Sequence, residues 1–278
     1  MSWVAPSLSS GLGNRLFQHA AAEGLAERWG RPVRFLTSHC KESPHGPLAS
    51  LFRMFPRIPL IESEETFIEI KEPPRAYYDY IELPGLEGVP TTHVVLHGFR
   101  QSPQYFPTDT MKLMPDWDSA LGGPLLRAMI EKDAQLSSEK ERARTVSVHV
   151  RMGDYLKLAH HQVDLGKYYQ DALKRVPSGA RLHLFSDEPE RCIQLFGTYA
   201  STHGITFTVA KPRSDVESLY EMSLCLGGNI VANSTFSWWG AWFAHQSGSP
   251  WATFPDNWGR GMPATTDLFP SWATVLSV

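Results

Sequence analysis

Cysteine is scarce in this 278-residue chain: Cys40, Cys192 and Cys225 are three, widely spaced, and form no C-x-x-C. A disulfide framework and a zinc-cysteine cluster are both excluded on that count, and a reducing compartment fits. Charge of one sign is also lacking. Lys and Arg total 26 against 29 Asp and Glu, a net charge of -3, so there is no general electrostatic hold on nucleic acid and any bound phosphate has to be gripped locally. No uncharged stretch approaches the roughly 20 residues that span a bilayer. The opening Met1-Ser2-Trp3-Val4-Ala5-Pro6 has neither a basic region nor an apolar one. The expectation is a cytoplasmic chain without a membrane span. A composition of 42% hydrophobic and 20% charged residues, with a mean hydropathy of -0.26, describes a folded globular chain.

Two nucleotide signatures are missing as well. Gly11-Leu12-Gly13-Asn14-Arg15 begins like G-x-G-x-x-G but has Leu16 where the third glycine belongs, and no G-x-x-x-x-G-K-[ST] occurs. What is present is alternation. Val4 to Ser10 reads as a strand, Leu16 to Trp29 as a helix stopped by Gly30, and Pro32 to Leu36 as a second strand. Residues 39 to 92 read as an irregular excursion with one strand-like segment, Phe67 to Ile70, before the apolar run His93 to Phe99 and a helix over Leu125 to Leu136. The polar stretch Ser137 to Arg144 marks a boundary between residues 1–138 and 139–278. Beyond it, strands at Thr145–Val150, Arg181–Phe185, Ile205–Val209 and Ile230–Ala232 alternate with helices at Tyr168–Val176, Glu190–Phe196, Val216–Leu226 and Ser237–His245. The fold class is therefore α/β with parallel sheets.

In such sheets ligands gather outside the carboxyl ends of strands, where helix N-termini present free N–H groups. Four segments fall there: Gly11 to Arg15, His149 to Tyr155, Ser186-Asp187-Glu188, and Asn233-Ser234-Thr235-Phe236-Ser237. Arg151 offers a planar, permanently charged fork for phosphate oxygens, or a salt-bridge partner. His149, two residues before it, shares its side of the strand and is either a site residue or a core histidine. Asp154 can cap a turn, brace Arg151 or accept a proton from a hydroxyl. Gly11 and Gly13 suit a tight turn, structural or ligand-binding, and the Asn14 amide is long enough to reach a diphosphate or sugar hydroxyl. Ser186 and Asp187 read as a cap before Pro189 or as contacts to a nucleoside. Asn233 to Ser237 reads as an anion site or an ordinary cap, with Trp238, Trp239 and Trp242 as packing. Asp116-Trp117-Asp118 has the spacing of a metal-diphosphate pair but introduces a helical region, and His160-His161 with Asp164 is a loop pair, so no metal site is assigned.

Taken together, these segments resemble the α1,2-fucosyltransferase family. Gly11 to Ala20 is similar to its G-L-G-N-Q-x-F-Q-Y-A, and Gly98 to Phe106 to its G-Y-x-Q-S-x-x-Y-F. His149 to Tyr155 is similar to H-x-R-R-G-D-Y, Ser186-Asp187 to part of F-S-D, and Asn233 to Trp242 to N-S-T-F-S-W-W-G-A-W. The resemblance implies a GT-B-like fold of two Rossmann-like lobes, an N-terminal lobe on the acceptor side and a C-terminal lobe binding the donor. It implies GDP-fucose as donor substrate, no cofactor or obligatory metal, and inverting transfer to a glycan or glycoconjugate hydroxyl, O2 of galactose by the family's linkage. Arg151 would bind the departing diphosphate, and Asn14, Ser234, Thr235, Phe236 and Ser237 would line the phosphate and fucose region. Asp187 would lie near the nucleoside. Asp154 is the candidate base, with His149 and Glu221 as rivals. Two positions depart from the pattern: Met152 replaces its second arginine and Arg15 its glutamine. The departures leave two alternatives open, another nucleotide-sugar on the same scaffold, or a catalytically silent glycan- or nucleotide-binding protein.

Overall fold

The computed structural model describes residues 1–74, 76, 78–84, 92–151, 163–259 and 267–278. The chain divides into two compact units, Met1–Gly123 with Thr266–Pro270, and Pro124–Thr265 with Ser271–Val278. Both are parallel α/β structures, as the alternation predicts. The division falls at Gly123, ahead of the polar stretch at 137–144.

The first unit contains β1 (Val4–Pro6), α1 (Leu12–Trp29), β2 (Phe35–Leu36), α2 (Leu48–Met54), β3 (Leu60–Ile61), β4 (Phe67–Ile70), β5 (His93–Leu96) and α3 (Trp117–Leu121). β1, β5 and β4 form one parallel sheet in that order. The β2–β3 pair joins beside β1 through the parallel bridges Val4↔Val33 and Leu8↔Cys40. One face, with Val4, Val94 and Leu96, packs against Ala21, Ala22, Leu25 and Trp29 of α1. The opposite face carries a smaller cluster of Trp3, Ala5, Leu36 and Val95. The segment read as irregular thus contains a short helix and a second strand, α2 and β3. Their brevity left no measurable period in the sequence.

The second unit contains α4 (Pro124–Asp133), α5 (Glu139–Arg144), β6 (Thr145–Val150), α6 (Gly166–Leu173), β7 (Arg181–Ser186), α7 (Pro189–His203), β8 (Thr206–Val209), α8 (Asp215–Ser223), β9 (Gly228–Ile230), α9 (Thr235–Gln246), β10 (Ala252–Pro255) and β11 (Thr274–Leu276). Its six strands are all parallel and lie in the order β11-β10-β9-β6-β7-β8. Counted from β6, that is the 3-2-1-4-5-6 order of doubly wound dinucleotide-binding sheets, whose direction reverses between β6 and β9. All six residues of β6 are buried, as expected of a central strand covered on both faces. The polar stretch 137–144 is largely helical: Ser138 and Glu141 form a reciprocal capping box that starts α5.

One buried hydroxyl ties the two strands next to the reversal. Tyr168 Oη lies 2.6 Å from the Val231 carbonyl oxygen and 2.8 Å from that of Thr253. Tyr168→Phe removes the donor and leaves buried acceptors behind, an expected loss of about 1–3 kcal/mol. A fall of several degrees in Tm by calorimetry checks it, and an unchanged Tm would refute it.

Candidate functional site

In the first unit the sheet reverses between β1 and β5, and the two segments leaving their carboxyl ends meet. Gln101 Nε2 donates to Asn14 Oδ1 at 2.7 Å, and Asn14 Nδ2 donates to Ser10 Oγ at 2.9 Å. Two of the non-glycine residues with left-handed backbone sit here, Ser10 (φ 69°) and Arg100 (φ 51°). Strain of this kind is retained where surrounding structure overdetermines it, commonly at binding sites. Glu72 does part of that work. Its carboxylate accepts the Phe99 and Arg100 N–H groups at 2.9 and 2.8 Å, while burial pushes its pKa up against those bonds. Gly98 has φ 112° and no room for a Cβ, which would lie 2.3 Å from Glu72 Cβ. The turn after β5 therefore needs glycine.

Helix α1 begins at Leu12, not at Leu16. Gly11 is its N-cap residue, and Gly13 and Asn14 lie in its first turn. Two glycines so close to the start hid the helix in the sequence, because glycine opposes a helix interior. Arg15, which stands where the family has glutamine, is fully buried, with Nη1 donating to the Gly46 carbonyl at 2.8 Å and Nη2 to that of Lys41 at 3.3 Å. It pins the 41–46 loop. The Asp116–Asp118 pair is a helix start, since Asp116 Oδ1 accepts the Ser119 N–H at 2.9 Å and so caps α3.

In the second unit the reversal lies between β6 and β9, and the candidates gather at that edge. The register Val150↔Ser186 sets the ends of β6 and β7 level, and Arg151 Nη1 meets Asp187 Oδ2 at 3.1 Å. Both side chains are partly exposed. His149 is buried on β6, its ring centroid 6.0 Å from that of Phe236 at the start of α9. Burial, reinforced by the Arg151 charge, lowers its pKa to about 3, and Nδ1 has no hydrogen-bond partner. So weak a base holds no proton near neutrality and accepts none effectively there. His149 packs the site more than it turns over protons.

Beyond β9 the chain runs through Asn233, whose Nδ2 donates to the Trp258 carbonyl at 3.4 Å, into α9. Ser234 is the N-cap residue of α9 but makes no side-chain cap bond, and Ser237 Oγ turns back to the Ser234 carbonyl at 3.2 Å. Thr235 and Phe236 occupy the first helical turn, half-buried. This α9 terminus, without a serine cap, is the positive end of a helix dipole placed at the sheet reversal. α7 differs: Ser186 Oγ accepts the Glu188 N–H at 2.9 Å, so Ser186 serves the turn before that helix. Trp238, Trp239, Trp242 and Phe243 are buried packing, with centroids 5.1–5.4 Å apart from Trp238 to Trp239 and from Trp239 to Trp242 and Phe243.

Glu221 is not available as a base. It is buried on α8 between His183 Nε2 at 2.6 Å and Arg213 Nε at 2.8 Å. Met152, Gly153, Asp154, Tyr155, His160 and His161 lie outside the described residues. The sequence reading passed over Glu72, and it gave Ser10 and Gln101 no part of their own. The signal for Gln101 was available: it follows a buried strand at the same edge as Gly11.

The second unit is a doubly wound α/β unit with its strands in dinucleotide-binding order and an arginine and a helix N-terminus at its reversal. The chain belongs to glycosyl transferase family 11, which matches residues 78–257. It is a glycosyltransferase. It is 26% identical over 279 aligned positions to an alpha-1,2-colitosyltransferase of Escherichia coli, covering 87% of this chain and 88% of that one. It is 32% identical over 109 residues to the O-antigen biosynthesis glycosyltransferase WbnK of Escherichia coli, a match spanning 37% of this chain and 35% of that protein's length. Among solved structures it is similar to the fucosyltransferase NodZ from Bradyrhizobium, at 16% identity and a TM-score of 0.47, covering 86% of this chain and 92% of that one. No helix among the described residues is long and apolar enough to cross a membrane.

Proposed function

We propose that this glycosyltransferase moves L-fucose from GDP-fucose to a glycan hydroxyl, O2 of galactose, with inversion and without a metal on the diphosphate. The observation that carries the reading is Arg151, held by Asp187 at the β6 end, at the same reversal as the α9 N-terminus. Charge accumulates on the GDP leaving group as an oxocarbenium-like sugar departs, and preorganised N–H donors in a fixed site stabilise it most where it develops. Thr235, Phe236 and Ser237 supply the helix turn that faces this charge, and Asp187 orients the guanidinium. Asp154, three residues past Arg151, is the proton acceptor in this proposal, since His149 is too weak a base and Glu221 is engaged. In this reading the N-terminal lobe takes the acceptor and the C-terminal lobe the donor.

A second reading is favoured by the colitosyltransferase relative: a donor carrying colitose, the 3-deoxy counterpart of fucose, on the same diphosphate machinery. Release of GDP measured with EDTA present, from GDP-fucose and GDP-colitose across galactose-terminated acceptors, separates the two. Acceptor-dependent release from GDP-fucose alone supports the first reading, and release from GDP-colitose alone replaces it. Activity only with added Mn²⁺ would overturn the metal-free chemistry.

A further inference from the structure

We propose that His39, Glu69 and His97 in the first unit bind a divalent ion of the zinc class. The reading is independent of the donor chemistry at Arg151. The three residues come from separate segments: His39 follows β2, Glu69 is in β4, and His97 follows β5. Strand register brings them together. Glu69 stands opposite Val95, and alternation puts His97, two residues on, on that same face of the sheet. Each residue offers one ligand atom, and the three atoms lie within 4.8 Å of one another.

The spacing at His97 suits a shared ion as well as it suits the ion pair with Glu69. Its Nε2 is buried and has no hydrogen-bond partner, yet lies 3.3 Å from Glu69 Oε1. Two donors each about 2.0–2.1 Å from one tetrahedral ion stand about 3.3 Å apart. His39 has its Nδ1 3.0 Å from Ser38 Oγ, an outer contact that fixes the ring and assigns Nε2 to the ion. The imidazole planes of His39 and His97 meet at 72° with centroids 5.5 Å apart, so the rings converge without stacking.

Two imidazoles and one carboxylate suit zinc, cobalt or nickel over magnesium or calcium, which take oxygen shells. With three protein ligands, the fourth position is left to water. Glu69 meets Lys71 Nζ at 2.7 Å through Oε2, which leaves Oε1, the oxygen beside His97, for the ion.

The test uses the full chain freed of metal with a chelator and titrated with Zn²⁺ by calorimetry, then with Co²⁺ followed by its visible d–d absorption. One equivalent is expected, with cobalt bands of a four-coordinate site and a rise in Tm on zinc addition. His97→Ala and Glu69→Gln should each weaken binding by at least about tenfold and remove the rise in Tm. His93→Ala, a change to a neighbouring histidine on the same face that pairs with Glu65, should leave both intact. Variants whose Tm without metal matches the parent decide the matter. Absence of saturable binding, or binding unchanged when His39, Glu69 and His97 are replaced together, would overturn the proposal.

Discussion

Arg151→Ala is expected to lower sugar transfer by about 10²–10³-fold, the range seen when one preorganised donor to a developing negative charge is removed. The residue sits one position past β6, where the sheet reverses, and its guanidinium is fixed by Asp187 at 3.1 Å. Fixing matters, because a donor that must reorganise during the reaction spends part of its stabilisation on its own ordering. Arg151→Lys keeps the charge but loses the planar fork, so it should recover only part of the loss. Asp187→Asn keeps the volume and removes the charged brace, with a smaller expected loss of turnover. None of the three should change folding much, because the pair is partly exposed and ion pairs of that kind contribute about 0–1 kcal/mol. Initial rates of GDP release under saturating donor, with Tm measured alongside, separate chemistry from unfolding. Near-normal turnover in Arg151→Ala would mean that the charge at this edge takes no part in transfer.

The legible parts of this molecule are strands whose own residues carry the pattern, fully buried in Thr145–Val150 and half-exposed in Phe67–Ile70. Thr145–Val150 and Phe67–Ile70 have the extents the sequence predicts, because their apolar and β-branched residues carry the signal themselves. Elements whose signal is a cap were missed. α5 is built from charged residues and exists through the Ser138–Glu141 box, while α1 gains a turn from Gly11. The site divides in the same way. Strand-end logic places Arg151, Asp187 and Asn233 to Ser237 at the carboxyl edge of the sheet without a structure, and the structure has them there. That Arg151 and Asp187 touch depends on the β6–β7 register, which no spacing within either segment encodes. Burial likewise decides Arg15 and Glu221, each of which looks chemical in sequence and is committed to packing in space.

His19→Phe is expected to stabilise the fold by about 2 kcal/mol more at pH 5 than at pH 7.5. His19 is completely buried on α1, its ring 4.2 Å from Phe55 and 5.8 Å from Phe35, and neither ring nitrogen has a hydrogen-bond partner. Burial lowers its pKa to about 3. The folded chain therefore keeps the ring neutral throughout the range, whereas the unfolded chain protonates it below about 6.5. Protons bound only by the unfolded state favour unfolding, so this contribution is flat above about pH 7 and grows as pH falls toward 3. At pH 5 the difference is about 1.5 pH units below the unfolded value, or about 2 kcal/mol. His149, depressed to about 3 as well, adds a term of the same sign. Glu23 opposes both: burial raises its pKa to about 7, so the folded state takes up its proton first as pH falls from about 7 to 4.5 and gains stability there. The parent profile mixes these terms and is a poor test. The variant isolates one, since any packing cost of the larger phenyl ring enters equally at both pH values and cancels in the difference. Urea midpoints at the two pH values supply the measurement, and an equal effect at both would show that His19 is protonated in the folded chain.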